Sequence, residues 1–154
     1  MISAGLLMFR KGDAHWEVLL GHPGGPFFSR KDKGFWSIPK GLVEKEEDLL
    51  YAAQREFQEE TGILTNEPYY DLGSIKQKSG KILHVWAFEH DYDLKKGIVS
   101  NTFSLEWPPK SGTKQQFPEM DKVLYFDIPS AFDYIMEAQR PLLIRLEETL
   151  SKRR

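Results

Sequence analysis

A mixed α/β or α+β sandwich is the fold class that this sequence predicts, and three observations predict it. Apolar runs of strand length come in adjacent pairs separated by turn residues, helical periodicity returns in separate segments between and after them, and no internal repeat or low-complexity stretch divides the chain. At 154 residues with 40% hydrophobic content, the chain is expected to form one domain over residues 1–154, long enough to bury a proper core.

Residues Ile2 to Phe9 and Trp16 to His22 are two apolar-rich runs joined by RKGDAH, which predicts an antiparallel hairpin. From Pro23 to Gly34 the chain is dense in Gly, Pro and charge, which predicts a loop leading through FWSIP to Lys40-Gly41. The first helix is expected from about Glu47 to Thr61, ended by Gly62. YYDLGSIKQ and KILHVWAFEHDY flank Ser79-Gly80 as a second hairpin, with His84, Trp86 and Phe88 alternating against Leu83, Val85 and Ala87. KVLYFDI is a further strand, Pro129 opens the helical pattern PSAFDYIMEAQ, and the final helix places Leu142, Leu143, Leu146 and Leu150 on one face. Between Leu94 and Pro118, Pro108-Pro109 and Ser111-Gly112 predict a long irregular insertion; a loop of that length either covers a site or serves as a structural flap or dimer contact.

Composition removes several functions. There are no cysteines, so disulfides and cysteine-ligated zinc are excluded and the cytoplasm is the expected compartment. The apolar run before Arg10 and Lys11 is too short for a membrane span and lacks the charged start of a signal peptide. A net charge of -2 offers no field for a nucleic-acid polymer, and the C-terminal SKRR reads as a solvated helix end. A small-molecule ligand and a monomer or homodimer are the expectation that remains.

The first helix carries the chemistry. At 100° per residue Leu49, Leu50, Ala53 and Phe57 share a sector of about 100° facing the core, with Asp48, Tyr51, Gln54, Arg55 and Gln58 opposite. Glu56, Glu59 and Glu60 do not join the solvent side but gather beside the apolar sector, where half burial is expected. Like charges at these spacings repel and partial desolvation adds to the cost, so a hard divalent cation such as Mg²⁺ or Mn²⁺ is the natural counter-charge. A lone EXXEE is more often an acidic solvated face.

The full spacing changes that balance. Gly41, five residues, Glu47, seven residues, Arg55-Glu56-Phe57, one residue, Glu59-Glu60, one residue, Gly62-Ile63 resembles the signature of the Nudix hydrolases. At roughly 6% usage per residue type, seven fixed letters matching by chance has a probability on the order of 10⁻⁶ or less in such a chain. Phe57 is the departure, an aromatic where the pattern takes a bulky aliphatic; a repacked pocket is expected there.

The resemblance implies a Nudix-type α/β/α sandwich with a mixed β-sheet and a metal-dependent hydrolase that cleaves a diphosphate linkage in a nucleoside diphosphate derivative, with a dinucleoside polyphosphate or nucleoside triphosphate among the options. It implies that the Gly41 carbonyl, Glu56 and Glu60 serve as metal ligands, with Glu59 bridging or holding a further ion. Arg55, paired with Glu47 or a neighbouring carboxylate, would orient the set. The base that takes the proton from water would be Glu59 or the later Glu119, with Asp121 competing for the second role. Lys40 and Arg30, with Lys31 and Lys33, lead up to the motif and are candidates for phosphate binding; WSIPKG resembles the approach in family members that act on dinucleoside or diphosphoinositol polyphosphates. Phe28, Phe35, Tyr70, Trp86, Phe103 and Trp107 are candidates to stack a base, against the more usual core role of aromatics. A lone histidine such as His84 or His90 is expected to be structural. The alternative reading is a non-catalytic nucleotide-binding or regulatory module of the same fold, which has no need of Arg55, Glu56, Glu59 and Glu60 together.

Overall fold

The structure, a computed structural model, describes residues 1–153. Ten residues of alternating register, Ile2–Lys11, form β1, and β2 (Trp16–Pro23) returns antiparallel to it, with Phe9 opposite Val18 and Lys11 opposite Trp16. A short β3 (Lys40–Leu42) pairs antiparallel with the start of β1, Ser3 opposite Leu42 and Gly5 opposite Lys40. Glycine at position 5 is required by that approach, because a Cβ there would press on the Pro39 carbonyl and the Lys40 side chain.

Helix α1 (Leu49–Thr61) follows. Its N-cap is Asp48, whose carboxylate accepts the Tyr51 N–H, so the helix begins two residues later than the sequence suggests. Gly62 ends it in the left-handed region at φ 76°, its N–H donating to the Gln58 carbonyl. Strands β4 (Tyr70–Lys76) and β5 (Ile82–Glu89) form the expected second hairpin. β5 then lies parallel to β1 from Ile2↔Ile82 to Phe9↔Glu89. The last strand of the sheet, β8 (Met120–Asp127), pairs with β2. The spatial order is β4-β5-β1-β2-β8, with β3 also on β1.

Two corrections concern the remaining segments. The insertion is not irregular: β6 (Thr102–Glu106) and β7 (Lys114–Pro118) make a separate two-stranded sheet, and the Pro108-Pro109 and Ser111-Gly112 residues form its turn. The helix after Pro129 is shorter than PSAFDYIMEAQ. α2 (Ile128–Tyr134) is capped by Asp127 and stops because Ile135 goes extended, fully buried and bridged to Trp36. α3 (Arg140–Ser151) closes the chain.

Period-two alternation fixes the layers. Leu7, Phe9, Val18, Leu20, Leu83 and Val85 face α2 and α3 and meet Leu142, Leu143, Leu146 and Leu150. Ala4, Leu6, Met8, Leu19 and Phe88 face α1 and meet Ala52, Ala53 and Phe57. This is an α/β/α sandwich with a mixed sheet. Phe57 is fully buried and stands edge-on to Phe88 at 5.3 Å between ring centroids, which is how the aromatic is accommodated. Among the described residues no helix is long and apolar enough to cross a membrane.

Candidate active site

The α1 face turned toward β3 sets the site. Its buried positions are Ala52, Ala53, Phe57, Glu60 and Thr61, while Leu49 and Leu50 are only partly covered. Glu60 therefore sits inside the apolar sector and not at its edge; it is 7% exposed. The three carboxylates, expected to be equally half buried, fall in a series: Glu60 buried, Glu56 mostly covered, and Glu59 the most open at 39% side-chain exposure.

Arg55 does not point away into solvent as the helical wheel suggests. Its Nε donates to Glu47 Oε2 at 2.7 Å and its Nη2 to Glu47 Oε1 at 2.9 Å, a bidentate fork. Its Nη1 reaches Glu56 Oε1 at 2.8 Å and both oxygens of Glu59 at 2.9 and 3.0 Å, and Nη2 also donates to the Leu42 carbonyl. Hydrogen bonding to Glu47 is the main reason the guanidinium is held still more firmly charged, and the same contact keeps Glu47 below the ordinary carboxylate range. A third Glu47 bond, from the Glu44 N–H, fixes the loop before the helix.

Gly41 is the counterpart on β3. A Cβ at this position would overlap the Glu56 carboxylate, so the missing side chain is what lets Glu56 lie against the strand. Glu60 takes a backbone hydrogen bond from Lys40. Burial pushes the Glu60 carboxyl up to about 8, with the Glu56 charge adding to the rise, and burial raises Glu56 too despite its contact with Arg55.

Lys40, Gly41, Glu56, Glu60 and Glu119 line one cleft of about 400 Å³. Glu59 and Arg55 line the adjacent recess with Tyr51 and Gln58. Arg30 lies on the exposed loop after β2, apart from both. Asp121, the competitor of Glu119, is engaged elsewhere: its carboxylate faces His22 Nδ1 at 2.9 Å, while His22 Nε2 faces the Lys31 carbonyl. His84 bonds Asp71 at 2.7 Å beside Trp86. The cleft also contains Ser3, Gln77, Ser79, Lys81 and Asn101, none of which the sequence singles out. Gln77 and Lys81 read only as strand ends on either side of the Ser79-Gly80 turn, and the parallel pairing of β1 with β5 is what brings that turn to the cleft.

Asn101 links the insertion to the helix. Val99 N–H donates to the Thr61 carbonyl and Asn101 N–H to the Glu59 carbonyl, satisfying acceptors that the helix end leaves open. The Asn101 carbonyl accepts from Glu119 N–H at 2.8 Å, and the Glu119 carbonyl accepts from Gly24 N–H at 3.0 Å. Glu119 is thus positioned from α1 through two backbone bonds.

The cleft's anionic donors are all hard oxygens, and burial raises the carboxyls of both Glu56 and Glu60, which suits a hard divalent cation in kind. The ligand set is not preassembled: among the described residues no three His, Cys, Asp or Glu side chains converge on one point. Arg55 accounts for this by drawing Glu59 and one oxygen of Glu56 to itself.

Fold and cleft together define an α/β/α sandwich of the Nudix type with an acidic, helix-borne site. The chain belongs to the NUDIX domain family, whose model matches residues 1–143. It is similar to Nudix hydrolase 7 of Arabidopsis thaliana, 36% identical over 83 residues, which are 54% of this chain and 27% of that protein. The matched segment thus spans about a quarter of that relative. It is also similar to the RNA pyrophosphohydrolase of Pelagibacter ubique, 28% identical over 108 residues, 68% of this chain and 67% of that one. Among solved structures, the Ap4A hydrolase binary complex of C. elegans superposes with a TM-score of 0.67 at 21% identity, covering 97% of this chain and 98% of that one.

Proposed function

We propose that this protein is a metal-dependent pyrophosphohydrolase that cleaves a diphosphate linkage in a nucleoside diphosphate derivative. The observation that carries the reading is the convergence of Gly41, Glu56, Glu60 and Glu119 on one cleft, with Lys40 on its wall. Membership of the NUDIX domain family and the names of the two relatives support the same reaction class.

Glu56, Glu60 and the Gly41 carbonyl would hold Mg²⁺ or Mn²⁺, with Glu59 available for a further ion. A divalent cation bound there supplies charge neutralisation at phosphate oxygens and acidifies water. The protein's own part is more specific. Lys40, half-buried and without an ion pair among the described residues, draws a phosphate oxygen into the cleft. Glu119 faces the same space and is the better-placed acceptor for the proton of attacking water, because Glu59 is engaged on both oxygens by Arg55. Arg55 acts as a positioning residue that orients Glu47, Glu56 and Glu59.

Incubation with dinucleoside polyphosphates, nucleotide sugars, ADP-ribose, 5′-triphosphorylated RNA and nucleoside triphosphates, with Mg²⁺ or Mn²⁺ and product identification, tests the reading. Metal-stimulated cleavage of at least one class, lost in Glu60→Gln, is the expected result; no cleavage across the panel sinks it.

A further inference from the structure

The WSIP stretch ahead of the cleft places none of its side chains in it, yet every backbone donor from Trp36 to Lys40 has a partner. Trp36 N–H donates to the Tyr134 carbonyl at 3.0 Å, and Ser37 and Gly21 exchange two bonds at 2.9 Å. Pro39 has no N–H, and its carbonyl accepts from Leu6. Lys40 N–H meets the Glu60 carboxylate. That leaves the Ile38 N–H, the last donor before Lys40, and its acceptor comes from the α2–α3 layer: Gln139 Oε1 at 2.9 Å.

Gln139 ends the 3₁₀ turn Glu137–Gln139 between α2 and α3 and is 1% exposed. Its Nε2 donates to Ser37 Oγ at 3.0 Å, and that hydroxyl donates on to the Ile38 carbonyl at 2.9 Å. The amide therefore holds both polar groups of Ile38, the N–H directly and the carbonyl through Ser37. Other buried residues of this layer, Ala131, Ile135, Leu142 and Leu143, are apolar. Packing alone would be met by another such residue at 139, without the cost of desolvating an amide. What an apolar side chain cannot do is fix the backbone two residues before Lys40.

We propose that Gln139 is a positioning residue for the cleft, holding the backbone of Lys40 and Gly41 against α1 through Ile38 and Ser37. The constraint passes from Ile38 across the stiff Pro39 to the Lys40 N–H on Glu60 and to the close approach of Gly41 to Glu56. The proposal rests on the hydrolase reading for the purpose of the cleft, but the positioning itself is read without turnover.

The test is amide hydrogen exchange by NMR on the metal-free protein, with calorimetric Mn²⁺ titration beside it. Gln139→Leu, Ser37→Ala and Gln139→Glu, which keeps an acceptor for Ile38, are compared with Leu143→Ala, a core truncation in the same layer that removes no side-chain hydrogen bond. Exchange at Ile38 and Lys40 is read as a ratio to Val85 in the middle of β5, so that a general loss of stability cancels. One hydrogen bond corresponds to about a ten-fold rise in that ratio at both amides in Gln139→Leu. A smaller rise is expected in Ser37→Ala, and none in Gln139→Glu or Leu143→Ala. Mn²⁺ affinity should fall by about 10–100-fold in Gln139→Leu, the usual cost of losing a group behind the ligands, and stay at the parent value in Leu143→Ala. An unchanged ratio at Lys40, or an equal loss of Mn²⁺ affinity in Leu143→Ala, overturns the positioning role. If Gln139→Leu does not fold, Ser37→Ala carries the same comparison. Should the exchange ratios shift as expected while no anhydride in the panel is cleaved, Gln139 keeps its role and the hydrolase reading falls.

Discussion

Arg55 and Glu47 meet through two parallel hydrogen bonds, Nε to Oε2 at 2.7 Å and Nη2 to Oε1 at 2.9 Å, across the junction between the loop after β3 and the second turn of α1. The planar fork leaves the remaining Nη1 edge for Glu56 and Glu59, so one guanidinium sets three carboxylates. Lysine cannot make that arrangement. Arg55→Lys should lower kcat by about 10–100-fold, the usual cost of losing a group that orients ligands, with a smaller change in melting temperature. A double-mutant cycle with Glu47→Gln should show strong coupling in kcat, and additive effects would contradict the orienting role.

Glu60 gives a pH signature. Its carboxyl is raised to about 8 by burial, with Glu56 adding to the effect. A group raised in the folded state contributes stability that is fully present below its unfolded value, near 4.5, and is lost as pH rises through the folded value. In EDTA the melting temperature should therefore fall between about pH 4.5 and 8, and Glu60→Gln should flatten that fall. Identical profiles for parent and variant would show that Glu60 is not the group responsible.

At Gly41, alanine puts a methyl group where the Glu56 carboxylate lies. The overlapped atoms are the far end of a flexible side chain, which can shift at the expense of its Arg55 contact, so Gly41→Ala should cost only about 1–3 kcal/mol of stability. Its activity should fall far more than its melting temperature. Thermal melts beside steady-state kinetics separate the two, and retained activity would mean that the Glu56 position does not matter.

Gly62 closes α1 at φ 76° and a Cβ there would also press on Val99. Gly62→Ala should destabilise by about 1–2 kcal/mol, a melting shift of roughly 2–8 °C in a protein of this size. It should also speed proteolysis within residues 102–118, because the same helix end holds the root of that hairpin.

Local features were legible in the sequence, and remote pairings were not. Alternation alone indicates both hairpins of the main sheet, and the Gly41-to-Ile63 spacing indicates the acidic helix, because strand period, turn chemistry and helix period are properties of neighbours. Thr102 to Glu106 alternates as well, with Phe103 and Leu105 partly covered, but Pro108-Pro109 reads as a breaker when it is in fact the hairpin's own turn. The contribution of Lys81 and Asn101 depends on β1 lying parallel to β5 and on a backbone ladder between residues far apart in the chain. No side-chain pattern records either. The helical wheel places Arg55 outward because it carries no information about a long side chain curling back over its own helix.

The ladder from Glu59 through Asn101 and Glu119 to Gly24 is made entirely of main-chain groups. Side-chain identity beyond it, from residue 102 to 118, does not enter the bonding that places Glu119. The β6–β7 hairpin is in this sense an interchangeable cassette: a change in the length or sequence of its tip leaves the main-chain bonds of its two anchor residues, Asn101 and Glu119, in place. Exchange of the tip between such proteins should therefore leave the acidic cleft intact.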